Sequence, residues 1–211
     1  MRSVKAGASA LSSLLAAIAT AAAVGLAAAP LAARAALTVE VVDQASAALV
    51  DAVVYVTPAS GRLPPHGPLT AIVDQVGRQF EPRVAVVQTG TSISFPNKDN
   101  IRHQVYSFSL PKVFELKLYS GTPSLPVLFD KPGLVIMGCN IHDQMVGFVQ
   151  VVDTPWFAKS GPDGIARVDG VPNEDVVVHV WHWRSGDAAE TSRSVRATHD
   201  ARVRVALDLK R

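Results

Sequence analysis

The sequence predicts an all-β protein, and three observations support this fold class. Short β-branched and apolar runs recur from Leu37 to the end of the chain, and Gly, Pro and Asp turns separate them at intervals of about 8–12 residues. No stretch beyond residue 36 has the 3.6-residue apolar period and the capping residues of a helix. With 48% hydrophobic and 18% charged residues, the 211-residue chain can bury a core and is not disordered. We therefore expect a β-sandwich or β-barrel architecture.

An export signal is predicted for residues 1–35. This stretch contains no acidic residue and three basic ones, Arg2, Lys5 and Arg34. Its Ala/Leu-rich middle, residues 14–31, precedes the small-residue triplet Ala33-Arg34-Ala35, which predicts cleavage before Ala36. A middle of about 18 residues also suits an uncleaved membrane anchor. Because most of it is alanine, which is only weakly apolar, cleavage is favoured and we expect a periplasmic protein.

The charge and cysteine content of the mature chain exclude several classes of function. Without its leader the chain keeps 17 basic and 18 acidic residues, so it is nearly neutral and lacks the basic stripe of a nucleic-acid-binding protein. Nothing after residue 36 resembles a transmembrane helix, so we expect no membrane span after signal cleavage. A single Cys excludes both a disulfide framework and a Cys-rich zinc module.

The predicted strands follow one another along the mature chain. Before the Gly/Pro-rich linker at residues 57–68, strands are predicted at residues 37–42 and 51–56. After the linker they are predicted at residues 84–88, 92–95, from about 105, 112–119, 127–129, 133–137 and 146–152. The break at Asp153-Thr154-Pro155 precedes three more predicted strands, at residues 165–168, 175–183 and 201–209. Such short strands with frequent turns are typical of sandwiches.

One group of residues has the side-chain types of a metal-binding or catalytic site. Cys139, His142 and Met145 lie within seven residues, between the predicted strands at residues 133–137 and 146–152. A thiolate, an imidazole and a thioether therefore share one tight loop at the rim of the sandwich. The purely structural alternative is a buried Cys, a core Met and a turn His. It is weakened by the spacing, because few chains with so few His and Met residues place them at these positions after their only Cys.

His103 adds a second imidazole. It lies in another predicted rim loop, residues 95–103, ahead of the strand that starts near Val105. Two imidazoles, one thiolate and a distant thioether form the trigonal ligand set that holds copper for one-electron transfer. Soft sulfur favours Cu(I), whereas imidazole accepts either oxidation state, so the ligand set reorganises little when an electron moves. The sequence predicts one type 1 copper ion.

Two other chemistries use the same residues. A zinc site of Cys139, His103, His142 and Asp143 is possible, but zinc gains nothing from a thioether. A thiol enzyme with Cys139 as nucleophile and His142 as base would leave Met145 and His103 unexplained. We find no Ser/His/Asp grouping, no phosphate-binding loop and no paired carboxylates in the sequence, so no enzyme activity is predicted.

The middle of the chain resembles a cupredoxin, the small blue-copper fold with a Greek-key sandwich, over about residues 71–153. More narrowly, nearly the whole mature chain resembles the bacterial exported proteins called methylamine utilization proteins. The motifs that carry this likeness are Phe95-Pro96-Asn97-x-Asp99, His103-x-Val105-Tyr106-Ser107-Phe108-Ser109, Cys139-Asn140-Ile141-His142-Asp143 and Asp153-Thr154-Pro155.

The resemblance implies three equatorial copper ligands and one weak axial ligand, namely His103, Cys139, His142 and Met145. It also implies that His142 emerges near the surface and passes electrons. Two positions depart from the family pattern. Gln104 stands where cupredoxins commonly have an Asn that braces one ligand loop against the other, and Gln144 stands where the narrower family often has an aromatic residue. Both departures bear on what the resemblance implies for the rigidity of the ligand loops, the reduction potential and the surface that meets a redox partner.

The flanking segments resemble a second, smaller sandwich of the carboxypeptidase regulatory-like (transthyretin-like) type. The likeness is carried by the opening strands up to Val56 and by the run from Asp163 to Val180. We therefore expect residues 36–62 and 154–211 to form one split domain, with the copper domain, residues 63–153, inserted into it. A plain tandem arrangement is the alternative.

Four further residues form an aromatic and histidine-rich strand. His179, Trp181 and Trp183 are expected on one strand face and His182 on the other. Packing at the domain junction is favoured over a second metal site, since only His199 is a spare partner.

The remaining polar candidates are given structural interpretations. His66 is expected in the solvated linker. Asp99 and Asp163 are interpreted as turn residues and not as catalytic acids.

The sequence therefore predicts an exported type 1 copper protein that carries single electrons between periplasmic redox partners, which it does not identify. Two alternatives stay open. The first is a copper-binding or copper-handling protein without electron transfer, and the second is a metal-free cupredoxin-like binding module.

Overall fold

The computed structural model describes residues 34–186, 190–198 and 200–210. Their regular structure is entirely β apart from one 3₁₀ turn, Trp183–Ser185, so the all-β prediction is confirmed. Among these residues no helix has the length and apolar character needed to cross a bilayer. The predicted signal peptide, residues 1–35, lies outside the described residues except for its last two positions.

Seventeen strands are described. In chain order they are β1 (Arg34–Asp43), β2 (Val53–Pro58), β3 (Leu69–Ile72), β4 (Asp74–Val76), β5 (Gln79–Glu81), β6 (Val84–Gln88), β7 (Thr91–Ser94), β8 (His103–Ser109), β9 (Lys112–Tyr119), β10 (Val127–Phe129), β11 (Gly133–Gly138), β12 (Val146–Val152), β13 (Phe157–Lys159), β14 (Ile165–Pro172), β15 (Asp175–Trp181), β16 (Thr191–Arg196) and β17 (Ala201–Leu207).

The two ends of the chain build one sandwich. Its first sheet has the order β14-β1-β17, in which β1 pairs antiparallel with β14 and parallel with β17. Its second sheet has the order β13-β2-β15-β16. Alternate residues of each strand point inward, as a half-buried strand requires, and Val39, Val54 and Val178 are fully buried between the sheets. Small β-branched side chains dominate this core.

The middle of the chain builds a second sandwich. A five-stranded sheet, β6-β12-β11-β8-β9, faces a three-stranded sheet, β10-β7-β3, and the hairpin β4–β5 lies beside them. Phe95, Phe129 and Met137 fill the space between the sheets. The same buried cluster contains Cys139 and Met145, so the loop between β11 and β12 closes one end of this core.

A third apolar cluster joins the two sandwiches through the outer faces of their sheets. Val53 and Trp181 come from the first sandwich, and Val84 and Phe148 come from the second. The Trp181 and Phe148 rings lie 5.8 Å apart, and the Arg83 guanidinium stacks 4.1 Å above the Trp183 ring. The predicted packing of this aromatic strand is therefore observed. The prediction that Trp183 lies on the strand is wrong, because β15 ends at Trp181.

The strands of the two sandwiches come from different parts of the sequence. The core of the first contains residues between 35 and 56 and between 156 and 209, and the core of the second contains only residues between 71 and 151. This distribution supports the inserted arrangement. The domain boundaries themselves, residues 36–62 with 154–211 and residues 63–153, stay a prediction.

Five strands, β3, β4, β5, β13 and β16, are not predicted from the sequence. Three of them have only three residues, too few to show an alternating pattern. The sequence of β16, Thr-Ser-Arg-Ser-Val-Arg, is polar because it forms a solvated sheet edge. His103 is the first residue of β8 and not the last residue of a loop, as predicted, because it already pairs with Tyr119.

The third cluster makes a prediction about stability. Replacing Val84 by Ala removes buried methyl groups and should lower the free energy of unfolding by about 2 kcal/mol. Val76→Ala, at a half-exposed strand position, should change it by less than about 0.5 kcal/mol. Urea-induced unfolding followed by circular dichroism measures both values. Equal effects of the two substitutions would contradict the packing of Val84 between the sandwiches.

Candidate metal centre

The loop between β11 and β12 is short and internally hydrogen-bonded. The His142 amide donates to the Cys139 carbonyl (3.4 Å), and the Met145 amide donates to the His142 carbonyl (2.9 Å). In successive turns of this kind, side chains three residues apart lie one above the other. The spacing of Cys139, His142 and Met145 therefore brings all three to one side of the loop. Paired strands hold both ends of the loop.

His103 reaches the same place from the neighbouring strand. β8 pairs with β11 at Tyr106 and Gly138, the residue before Cys139, so the start of β8 lies beside the loop. The His103 side chain is completely buried, whereas His142 is only partly buried. The two imidazole rings lie 4.9 Å apart and are tilted by 60°. Neither ring is stacked on the other, so both can present a nitrogen to a common point.

Three donor atoms converge at this point. Nδ1 of His103 and Nδ1 of His142 each lie 3.8 Å from the Cys139 Sγ atom. All three ligand atoms lie within 4.8 Å of one another, and within the described ranges they are the one such group of His, Cys, Asp and Glu side chains. For metal bonds of about 2.3 Å to sulfur and about 2.0 Å to nitrogen, trigonal angles separate the sulfur from each nitrogen by about 3.7 Å. The spacing therefore fits a first-row metal ion.

Asp99 sets the protonation pattern of His103. Its Oδ2 atom lies 2.7 Å from His103 Nε2 and accepts a hydrogen bond from it. The Gly77 and Arg78 amides donate to the two oxygens of the same carboxylate (2.7 and 2.9 Å). A carboxylate on Nε2 places the imidazole proton there, and the Nδ1 lone pair is left facing Cys139. His103 is thereby oriented as a ligand.

The pKa of Asp99 is consistent with an ionised carboxylate. Burial raises this pKa, but the hydrogen bonds from the Arg78 amide, from His103 and from the Gly77 amide outweigh that effect. The resulting pKa lies below the usual value for Asp. The carboxylate therefore accepts all three hydrogen bonds at neutral pH.

The hairpin β4–β5 supplies the two amides to Asp99. It turns through Gly77 and Arg78, both at φ +61°, as a two-residue hairpin turn requires. A groove of about 290 Å³ separates this turn from the loop. Residues that line the groove include Arg78, His142 and Gln144. The half-buried imidazole of His142 is thus the donor that faces solvent.

Met145 is buried in the same apolar cluster as Cys139. Asp143, the fourth ligand of the alternative zinc site, is exposed and is not among the converging donors of the described residues. The structure thus brings His103, Cys139 and His142 together and places Met145 on the buried side of the loop. It gives the zinc alternative no carboxylate.

Asn97, and not Gln104, braces the loop that carries Asp99. Its side-chain amide donates to the Ile101 carbonyl (2.8 Å) and to the Tyr119 carbonyl (2.9 Å), and its Oδ1 atom accepts from the Asp99 amide (3.0 Å). Gln104 instead donates to Glu115 on the outer face of the sheet (2.6 Å). The missing Asn at position 104 therefore does not leave the loop of Asp99 without support.

The sequence alone does not predict Asp99 as a site residue. It presents Asp99 as a turn residue in an Asn-Lys-Asp-Asn run, and the partners Gly77 and Arg78 lie in a hairpin too short to be predicted. The position of Asp99 four residues before His103 is the one signal in the sequence, and this signal is weak on its own.

The remaining histidines of the described residues have other partners. His179 lies between Thr57 and Glu190, and His182 contacts the Val50 carbonyl and the Arg184 amide. His66 is exposed in the linker, and His199 lies outside the described residues. No second metal cluster forms among the residues described.

Comparisons with known proteins find cupredoxins among solved structures. A copper-containing nitrite reductase from Thermus scotoductus SA-01 matches at 26% identity and a TM-score of 0.36, over 45% of this chain and 26% of its own, so only about a quarter of that enzyme is spanned. A purple cupredoxin from Nitrosopumilus maritimus matches at 20% identity and a TM-score of 0.34, over 39% of this chain and 98% of its own. A reduced amicyanin mutant matches at 18% identity and a TM-score of 0.36, over 43% of this chain and 96% of its own.

No family model matches the chain. No curated protein matches it either. The structural neighbours are cupredoxins, as the resemblance in the sequence predicts, but their alignments are partial. The metal centre is therefore defined by the distances within this chain.

The Asp99 contacts predict the effect of an isosteric substitution. Asp99→Asn replaces one acceptor oxygen by an NH₂ group, so either the Gly77 amide loses its acceptor, or His103 and the Arg78 amide both lose theirs. Unfolding in urea should become easier by about 1–3 kcal/mol. In the metal-free protein, long-range ¹H–¹⁵N NMR should show the His103 proton on Nε2, and the variant should lose this uniform tautomer.

Asp143→Asn is the matched control. This carboxylate is exposed on the metal loop, so its substitution should shift stability by less than about 0.5 kcal/mol and leave the His103 tautomer unchanged. If the metal-free protein carries the His103 proton on Nδ1, the role assigned to Asp99 is wrong.

Proposed function

We propose that the protein is a periplasmic electron carrier that holds one type 1 copper ion. His103, Cys139 and His142 would hold the ion, and Met145 would supply a weak fourth donor. One observation carries the proposal: two imidazole Nδ1 atoms each lie 3.8 Å from the sulfur of Cys139, and this cysteine belongs to the same buried cluster as Met145. Imidazole, thiolate and thioether together form the donor set of electron-transfer copper sites.

The protein's own residues keep such a site rigid. When bound, copper supplies a reversible one-electron couple. Asp99 fixes the orientation of the His103 ring, and the turns and paired strands around residues 139–145 hold Cys139 and His142. Ligands that move little between two oxidation states lower the barrier to electron exchange. Because Cys139 and Met145 are almost completely buried, water is kept from the sulfur side.

Electrons enter and leave through His142 in this proposal. It is the donor side chain with solvent exposure, and the groove between it and Arg78 gives a partner protein access to the ring. His103, Cys139 and Met145 are covered by the protein. The redox partners are proteins of the periplasm that the chain itself does not identify.

The donor set can be tested by copper loading. After addition of Cu(II) and dialysis, we expect an intense visible band from charge transfer between thiolate and copper. Cys139→Ser and His142→Ala should remove this band without changing the far-ultraviolet circular dichroism of the β fold. His66→Ala, which changes an exposed histidine in the linker, should keep the wild-type spectrum. A colourless wild-type protein with an intact fold would support the metal-free binding module instead.

The redox role can be tested by titration of the copper-loaded protein. An electron carrier should show a reversible one-electron wave with fast exchange. Met145→Leu should keep the visible band and raise the potential by about 59 mV or more, because Cu(II) loses a donor; 59 mV is a tenfold change for one electron. Met137→Leu, in the same buried core, should leave the potential unchanged. Slow, irreversible reduction would favour a copper-handling protein.

A further inference from the structure

The outer face of the five-stranded sheet is only partly covered. The first sandwich covers its β6 and β12 half, where Val84 and Phe148 belong to the third cluster. On the β8 and β9 half, Phe108 is 80% exposed and Val113 is 63% exposed. These two residues are direct cross-strand partners. Ile136 of β11 is also exposed, so one face of one sheet changes from buried to open between neighbouring strands.

The exposed part of this face, formed by β8, β9 and Ile136 of β11, is called the open half, and it is continuous with the covered half. It contains two depressions of about 250 and 340 Å³, and Tyr106 and Phe108 line both of them. The larger one extends to Val146, which packs against the third cluster. The Tyr106 and Phe108 rings also contact each other at 5.3 Å. The surface is therefore a continuation of an existing interface between sheets.

The opposite side of that interface shows how the sheet of the first sandwich ends its contact. At the edge of the third cluster, where Tyr55 packs against it, His179 bonds to Thr57 (2.9 Å) and Glu190 (2.8 Å). Tyr55 stacks on His179 and donates to the same Glu190. These polar side chains are hydrogen-bonded to one another and only partly exposed, at 18% for His179 and 28% for Glu190. The β8–β9 face is aromatic and aliphatic and much more exposed, which indicates that another surface covers it.

The charges around the open half favour a second copy as the occupant. Lys112 pairs with Asp130 (3.2 Å), and Glu115 accepts from Gln104 (2.6 Å). Both signs are present: Lys112 and Asp130 balance each other, whereas the neutral Gln104 leaves the Glu115 charge uncompensated beside the exposed Lys117 of opposite sign. Two such surfaces can therefore approach each other without a large excess of like charge. A surface that is apolar at its centre and mixed in charge at its rim is self-complementary about a two-fold axis.

The size of the open half fits the same occupant. Only the exposed part of each side chain can be buried by a partner, which is most of Phe108 and Val113 (80% and 63%) but little more than a third of Ile136 (37%). Together with the exposed polar rim, the open half supplies at most roughly 800 Å² per copy. This is the size of an ordinary specific interface. Pairing through the free edge of β9 is disfavoured, because the strand is irregular between its pairings with Val105 and His103 and carries the exposed Lys117 there.

We propose that the open half of this sheet, formed by Tyr106, Phe108, Val113 and Ile136, is the surface through which two copies of the chain dimerise face to face. The dimer surface shares no residue with the groove beside His142. Dimerisation through this surface therefore leaves the groove beside His142 open to a partner. The proposal does not rest on the bound metal.

Sedimentation velocity of the purified protein over a concentration series tests this proposal. The wild-type protein should associate into a species of twice the monomer mass. Phe108→Glu and Val113→Glu each place a buried negative charge at the centre of the dimer and should raise its dissociation constant at least tenfold. Ile72→Glu is the matched control, because Ile72 is a β-branched residue on a strand of the other sheet with 62% exposure. It should leave the dissociation constant unchanged.

Each outcome decides the proposal. A wild-type protein that stays monomeric up to about 1 mM, the weak limit of specific association, would overturn it. So would a dimer that both Glu variants leave intact, or one that Ile72→Glu dissociates equally. Circular dichroism verifies that each variant is folded. Two variants on different strands keep the test decisive if one of them fails to fold.

Discussion

The Asp99 carboxylate holds together three parts of the chain: its own loop, the β4–β5 turn and the start of β8. It accepts hydrogen bonds from both residues of the β4–β5 turn and from the buried imidazole of His103. The turn is held in place beside the metal loop, and the imidazole is held with its free nitrogen toward Cys139. Hydrogen bonds to both oxygens offset the cost of removing this carboxylate from water. The orientation of His103 in the donor cluster depends on this one group.

Much of the site can be predicted from the sequence because its chemistry is local. Cys139, His142 and Met145 are spaced by three residues, and a loop of this length between two strands has few ways to arrange them. His103 is identified by its residue type and its place at a strand end. Asp99 cannot be found in this way. Its importance comes from contacts with residues about 20 positions away, in a hairpin whose two strands have three residues each.

The fold is predictable to a similar degree and for a similar reason. Strands with two buried faces or a clear apolar alternation are identified, and β12 is the strongest example, with nearly every residue buried. Polar edge strands such as β16 carry no such pattern, because solvent accepts any side chain there. The sequence also does not show which part of a sheet face is covered by another sheet. The same alternation describes Phe148 under the first sandwich and Phe108 in the open.

The pairing of the two strands that border the middle segment affects the order in which the chain folds. The chain leaves the first sandwich at the end of β2 and returns in β13, which pairs directly with β2, so Tyr55 and Phe157 are opposite each other. The long excursion therefore begins and ends about one strand spacing apart, near 4.8 Å. Until the excursion has collapsed, joining its ends costs the entropy of closing a long loop. The middle segment thus gains from folding first or together with the ends, and the first sandwich is completed by β14 to β17, which are synthesised after the middle segment.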